Sequence, residues 1–152
     1  MRRIKHKGTG KEGTDANQLH LALCSISTQR TFSVRILHNP RRSNIMVGVV
    51  HLANLFQYGG FQNGHWHINQ NYQLQKCLDH ELDEEFNGKT IPEGAVVSVE
   101  IDDKRRSLNF KVNGEEAYGN VKTGLDPAKF ARLVGAVYVF WKDDEVEIID
   151  SE

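Results

Sequence analysis

From position 19 to position 149 apolar residues recur at every second position, in short runs cut apart by turn-forming pairs. Leu19, Leu21 and Leu23 alternate with His20, Ala22 and Cys24; Phe32, Val34 and Ile36 alternate with Ser33 and Arg35; Ile45, Val47 and Val49 follow. Successive side chains of a strand point to opposite faces, so this spacing places one apolar face per run against a core. Asn39-Pro40, Gly59-Gly60, Asn63-Gly64, Asn87-Gly88 and Asn113-Gly114 are turn chemistry between the runs.

The second half repeats the pattern. Val97, Val99 and Ile101 share a face; after the polar turn at 102–106, Leu108, Phe110 and Val112 share another. Residues 133–141 are apolar on both parities, as expected of a strand buried between layers. A last short strand is expected over 146–149. Helices are expected only over 75–86, where Leu78 and Leu82 stand four apart among acidic residues, and over 126–131, where Asp126 can cap a helix opened by Pro127. Many short strands joined by turns predict an all-β fold, an antiparallel β-sandwich of two packed sheets.

A chain of 152 residues suits one domain. Residues 1–14, rich in Gly and Lys with little to bury, are expected to form a flexible basic tail ahead of a domain at 15–150. With 19 Lys+Arg against 20 Asp+Glu the net charge is −1, so no global field draws the chain to nucleic acid or membrane. Cys24 and Cys77 are too few for a disulfide framework. No apolar run approaches the roughly 20 residues of a membrane span, and no secretory h-region follows the basic start. The expected location is intracellular, cytoplasmic or nuclear.

No catalytic motif stands out. Cys77, Asp79 and His80 are close in sequence, but a Cys-His site is assembled from distant segments, so their nearness is no evidence. His65 and His67 lie on one side of a strand and could share a metal, with His51 or His80 as a third ligand. The plainer expectation is that Trp66 and Ile68 point into the core, both histidines face solvent, and neither metal nor cofactor is bound. Arg41 and Arg42, like 104–106, are basic turns; Arg41 and Arg42 could grip an acidic ligand.

Two loops carry aromatic residues that a purely solvated loop would not favour. Leu55, Phe56, Tyr58 and Phe61 surround a glycine pair, and Phe140 and Trp141 precede Lys142 and Asp143. Aromatic side chains bury a large area at small entropic cost, which suits them to anchor a partner. Tyr58 and Trp141 are the expected exposed anchors.

The order of these features resembles the SPRY domain. The stretch from Glu93 through Val99 to Asp102, followed by Leu108, Phe110 and Asn113-Gly114, is similar to that family's central strand pair. Val47-Gly48-Val49, Trp66 to Ile68 and Val137 to Trp141 resemble further strands of it. Ala95 and Ser98 stand where the family has Asp and Gly, and Ser33 where an acidic residue is common. The resemblance implies a non-catalytic module that binds a protein or peptide partner through loops at one end, as part of a larger assembly. The contributing loops would be 52–61 and 140–144. Alternatives from other classes are a nucleic-acid-associated module using the basic tail with Arg41 and Arg42, and a glycan-binding sandwich.

Overall fold

The computed structural model describes residues 2–9, 20–26, 29–42, 45–51, 64–78, 81–85 and 88–150. Their alternating runs form twelve strands and one short helix. The strands are β1 (Arg2–Lys7), β2 (His20–Cys24), β3 (Thr31–His38), β4 (Ile45–His51), β5 (His65–Asn69) and β6 (Leu74–Leu78). Then come β7 (Glu81–Glu85), β8 (Val96–Asp102), β9 (Ser107–Val112), β10 (Glu115–Lys122), the helix α1 (Pro127–Phe130), β11 (Leu133–Val139) and β12 (Glu145–Asp150). One antiparallel sheet has the order β1-β12-β3-β8-β9-β10, the other β2-β11-β4-β5-β6-β7. The expected sandwich is thus present, with both halves of the chain in each sheet.

The alternation settles the core. Val97, Val99 and Ile101 stand opposite Val112, Phe110 and Leu108 on neighbouring strands, and all six are buried. Phe32, Val34, Val146 and Ile148 extend this layer, and Val47, Val49, Trp66, Ile68 and Val137 meet it from the second sheet. β11 buries both its faces: Val137 and Val139 join the core, while Ala136 and Tyr138 pack outside with Val50. Gly48 of β4 lets β5 come close, since a Cβ there would collide with the Trp66 carbonyl and the His67 side chain.

Two elements differ from expectation. Residues 75–86 hold a hairpin, β6 and β7, with Lys76 opposite Asp83 and Cys77 opposite Leu82. Leu74 is buried in the core, and the acidic run that suggested a solvated helix lies instead on a sheet edge, where charge is common. Tertiary pairing has overridden a weak local helical signal. The helix expected over 126–131 is present as α1, where the Asp126 carboxylate accepts from the Lys129 N–H.

The tail expected at 1–14 is also corrected. Arg2–Lys7 forms β1, paired along its whole length with β12, and the Gly8 N–H donates to the Asp144 carbonyl; residues 10–14 lie outside the described residues. Composition hid this strand because an edge strand needs little apolar area: Ile4 is 44% exposed, and β1 is held by backbone pairing. Deleting residues 1–8 is therefore expected to cost about 0.5–3 kcal/mol, at roughly 2–4 °C of melting temperature per kcal/mol. A thermal melt of the truncated chain checks this; an unchanged melt would leave β1 without a role in stability.

Candidate functional site

β3 ends at His38, and the chain turns through Asn39-Pro40 toward β4 at the end of the sandwich where β11 also ends. The Asn39 side chain is buried there and donates from Nδ2 to Asp144 Oδ1 at 3.0 Å. Asp144, wholly buried, closes its own turn: its N–H donates to the Trp141 carbonyl at 2.9 Å, and its Oδ2 accepts from the Trp141 N–H at 3.3 Å. With Gly8 on its carbonyl, this one residue joins the end of β1, the β3–β4 turn and the β11–β12 turn.

On this support the Arg41 guanidinium stacks 4.1 Å from the centre of the Trp141 ring. An arginine over an indole face is an attractive pair at a partly exposed site. Phe140 meets Trp141 edge-on at 4.6 Å. Arg42 closes the turn by donating its N–H to the Asn39 carbonyl at 3.0 Å, with φ of 49°. That left-handed conformation costs a non-glycine residue on the order of 1 kcal/mol. Beside it opens a recess of about 440 Å³ between Asn39, Pro40, Arg42, Thr90, Ile91 and Pro92. Glu93 borders it too and accepts the Asn39 N–H at 2.8 Å.

The sequence-derived residues fare differently. Trp141 is half-buried and Lys142, Asp143, Arg41 and Arg42 are exposed, all at this end. Phe140, expected as a partner contact, is only 1% exposed; its ring is packed beneath Trp141 and belongs to the interior. Leu55, Phe56, Tyr58 and Phe61 lie outside the described residues. Their segment is rooted at His51 and Gly64, where β4 pairs with Leu133. The 140–144 turn leaves from the other end of β4, where Ile45 pairs with Val139. Seven residues of strand separate the two roots, roughly 20 Å at the strand rise, so the two loops are rooted at opposite ends of β4. Residues 104–106 also lie at the far end, beside the Arg30–Asp103 ion pair at 2.8 Å.

The histidine pair is corrected as well. Trp66 and Ile68 do enter the core, but His65 and His67 are each 3% exposed instead of facing solvent. β5 is an interior strand, and on its outer face the two imidazoles stack at 4.7 Å near Tyr138. His67 Nε2 shares a hydrogen bond with Gln75 Oε1 at 2.9 Å. Burial holds His65 at a pKa of about 3, with His67 adding to the effect, and His67 at about 4, partly offset by Gln75. Among the described residues no three His, Cys, Asp or Glu side chains are placed to hold a metal. Cys77 is buried and its thiol pKa is raised by burial, the reverse of what a nucleophile needs; Asp79 and His80 lie outside the described residues. No helix among the described residues is long and apolar enough to cross a membrane.

Burial raises Asp144 to a pKa of about 6, against the opposing pull of its bonds from Asn39 and Trp141; Asp143 adds to the rise and Arg41 opposes it. Its pKa exceeds the 3.8 of the free side chain, so its stabilising effect is full below pH 3.8 and lost as pH climbs through about 6. His65 and His67 act in the opposite sense. Their contribution is full above pH 6.5 and lost as pH falls toward 4 and 3. Melting curves of Asp144→Asn and wild type, taken from pH 4 to 8, are therefore expected to differ by an amount that shifts toward the variant as pH climbs through about 6. That shift comes on top of a constant loss from the one acceptor that Asn lacks. The expected pH-dependent shift is on the order of 2 kcal/mol. A difference that does not vary with pH would mean that Asp144 is not held protonated by burial.

No protein-family model matches the sequence, and neither does any curated protein. The fold is similar to that of a human SPRY domain, with a TM-score of 0.65 and 18% identity over 86% of this chain and 83% of that one. It is also similar to the SPRY domain of human HERC1, with a TM-score of 0.62 and 17% identity over 99% of this chain and 89% of that one. At these identities the likeness is one of fold, and the fold is SPRY-like.

Proposed function

We propose that the chain is a protein-interaction module without catalytic activity, which docks a protein or peptide partner on the end of the sandwich built from residues 39–42, 90–93 and 140–144. The observation that carries this reading is the Arg41–Trp141 stack. Two side chains a hundred positions apart are held face to face beside an open recess, over a buried Asn39–Asp144 bond. Arg and Trp are the residue types that most often dominate binding energy, and a rigid support reduces the ordering cost of binding. Arg42, Lys142 and Asp143 form the polar rim. Leu55, Phe56, Tyr58 and Phe61 are a second, independent contact in this proposal, rooted at the other end of β4.

The reading extends to a place in a larger assembly inside the cell, where the partner supplies the rest of the function. A nucleic-acid role is less well supported, since the basic arm it would use is strand-paired as β1.

Partners captured on the immobilised protein and identified by mass spectrometry supply the ligand for a titration. Trp141→Ala is expected to weaken that binding by about 2 kcal/mol, roughly thirtyfold, with Arg41→Ala acting in the same direction. The circular dichroism spectrum should stay that of the wild type. Tyr58→Ala should weaken the binding as well, and the double variant with Trp141→Ala measures whether the two contacts couple. Unchanged affinity in folded Trp141→Ala and Arg41→Ala proteins would place the docking face elsewhere. Affinity that collapses with salt at a slope of several counterions would favour nucleic acid over a protein partner.

A further inference from the structure

The chain is almost neutral overall, yet two of its outermost strands carry opposite and unmixed charge. β1 at the edge of the first sheet contains Arg2, Arg3, Lys5 and Lys7 and no acid; β7 at the edge of the second contains Glu81, Asp83, Glu84 and Glu85 and no base. The other two edge strands show no such bias: β2 has no Lys, Arg, Asp or Glu, and β10 mixes both signs. Lys5, Lys7, Glu84 and Glu85 are all exposed.

An outermost strand offers unpaired N–H and C=O groups, and charge on it ordinarily prevents another chain from adding on. Charge of one sign on both edges would block self-association. Opposite signs on the two edges block β1–β1 and β7–β7 pairing but favour β1 with β7. The spacing agrees. In the antiparallel register that sets Lys5 opposite Asp83, Arg3 stands opposite Glu85 and Lys7 opposite Glu81. Opposite charges facing each other across neighbouring strands stabilise the pair. Glu85 already lies 3.8 Å from Lys76, and Glu84 accepts from Gln73 and Gln75. These are contacts at the protein surface, and Glu85 stays half exposed with a 53% accessible side chain.

We propose that β1 and β7 form a head-to-tail interface between copies of this chain, joining the first sheet of one molecule to the second sheet of the next. The contact is heterologous, so every open assembly keeps one free edge of each sign, one at either end, and growth continues until a ring closes. It uses strand edges and not the Arg41–Trp141 stack, although β1 ends at Gly8 beside the Asp144 turn.

Sedimentation velocity of the wild-type protein at about 10 mM and about 1 M salt tests it, since the screening length falls from roughly 30 Å to 3 Å between them. Species larger than monomer, growing with protein concentration, are expected at low salt and should dissociate at high salt. In that register Arg3→Glu/Lys5→Glu sets acids opposite Glu85 and Asp83, and Asp83→Lys/Glu85→Lys sets bases opposite Lys5 and Arg3. Each alone should be monomeric at low salt, and their equimolar mixture should assemble again. Monomeric wild type at low salt overturns the interface whatever the variants do. Assembly that persists in either folded variant, or fails to return in the mixture of two folded variants, overturns the pairing of these strands.

Discussion

Phe32 of the first sheet lays its ring on Gly135 of the second, and the two sheets close to that separation only because Gly135 has no side chain. A Cβ added there would lie 2.5 Å from the ring. The contact sets the thickness of the core beside β11, the strand that runs between β2 and β4 and buries both its faces. Apolar burial drives the sheets together without direction; the Phe32–Gly135 fit gives the closure a defined depth. The loops at the sandwich ends inherit their positions from it, because their roots are strand ends fixed in the two sheets.

The candidate docking end shows how such inheritance works. Arg41 follows a strand of the first sheet and Trp141 a strand of the second, so their stack exists only once the sheets have closed. Asn39 and Asp144 make the link beneath it, and Asp144 keeps its carboxyl buried at a cost that appears as a raised pKa. A group held out of water in this way is a common companion of a recognition site, where geometry is maintained against local stability.

Much of the architecture was legible in residue spacing, and the failures have physical causes. The β8–β9 pair could be read because Val97, Val99, Ile101, Leu108 and Phe110 alternate strictly. The hairpin at 74–85 could not, because its Leu78 and Leu82 also fit a helix and its acids suit either a solvated helix face or a sheet edge. β1 escaped notice because backbone pairing leaves no mark in composition. His65 and His67 were placed by alternation on the correct face, but alternation does not say that this face is covered. Ser33 and Ser98, each a departure from the SPRY pattern, stand opposite one another on β3 and β8 and share a hydrogen bond of 2.9 Å. The two departures are one cross-strand pair, which only the register reveals. The Arg41–Trp141 stack was likewise invisible in its parts: a basic turn and an aromatic turn were each apparent, but their meeting is a property of topology.

The pairing of β1 with β12 has a consequence for how the domain can be carried. Arg2 stands opposite Asp150, and Cα atoms facing each other in an antiparallel pair are only about 4.5–5.5 Å apart. A domain whose chain enters and leaves at one spot can be spliced into a surface loop of a host protein without prising that loop open. The same adjacency permits circular permutation, with the two strands bridged by a few residues and the chain reopened at a turn. Such a unit is a portable cassette, closed at its own seam by the very strands through which it would be attached.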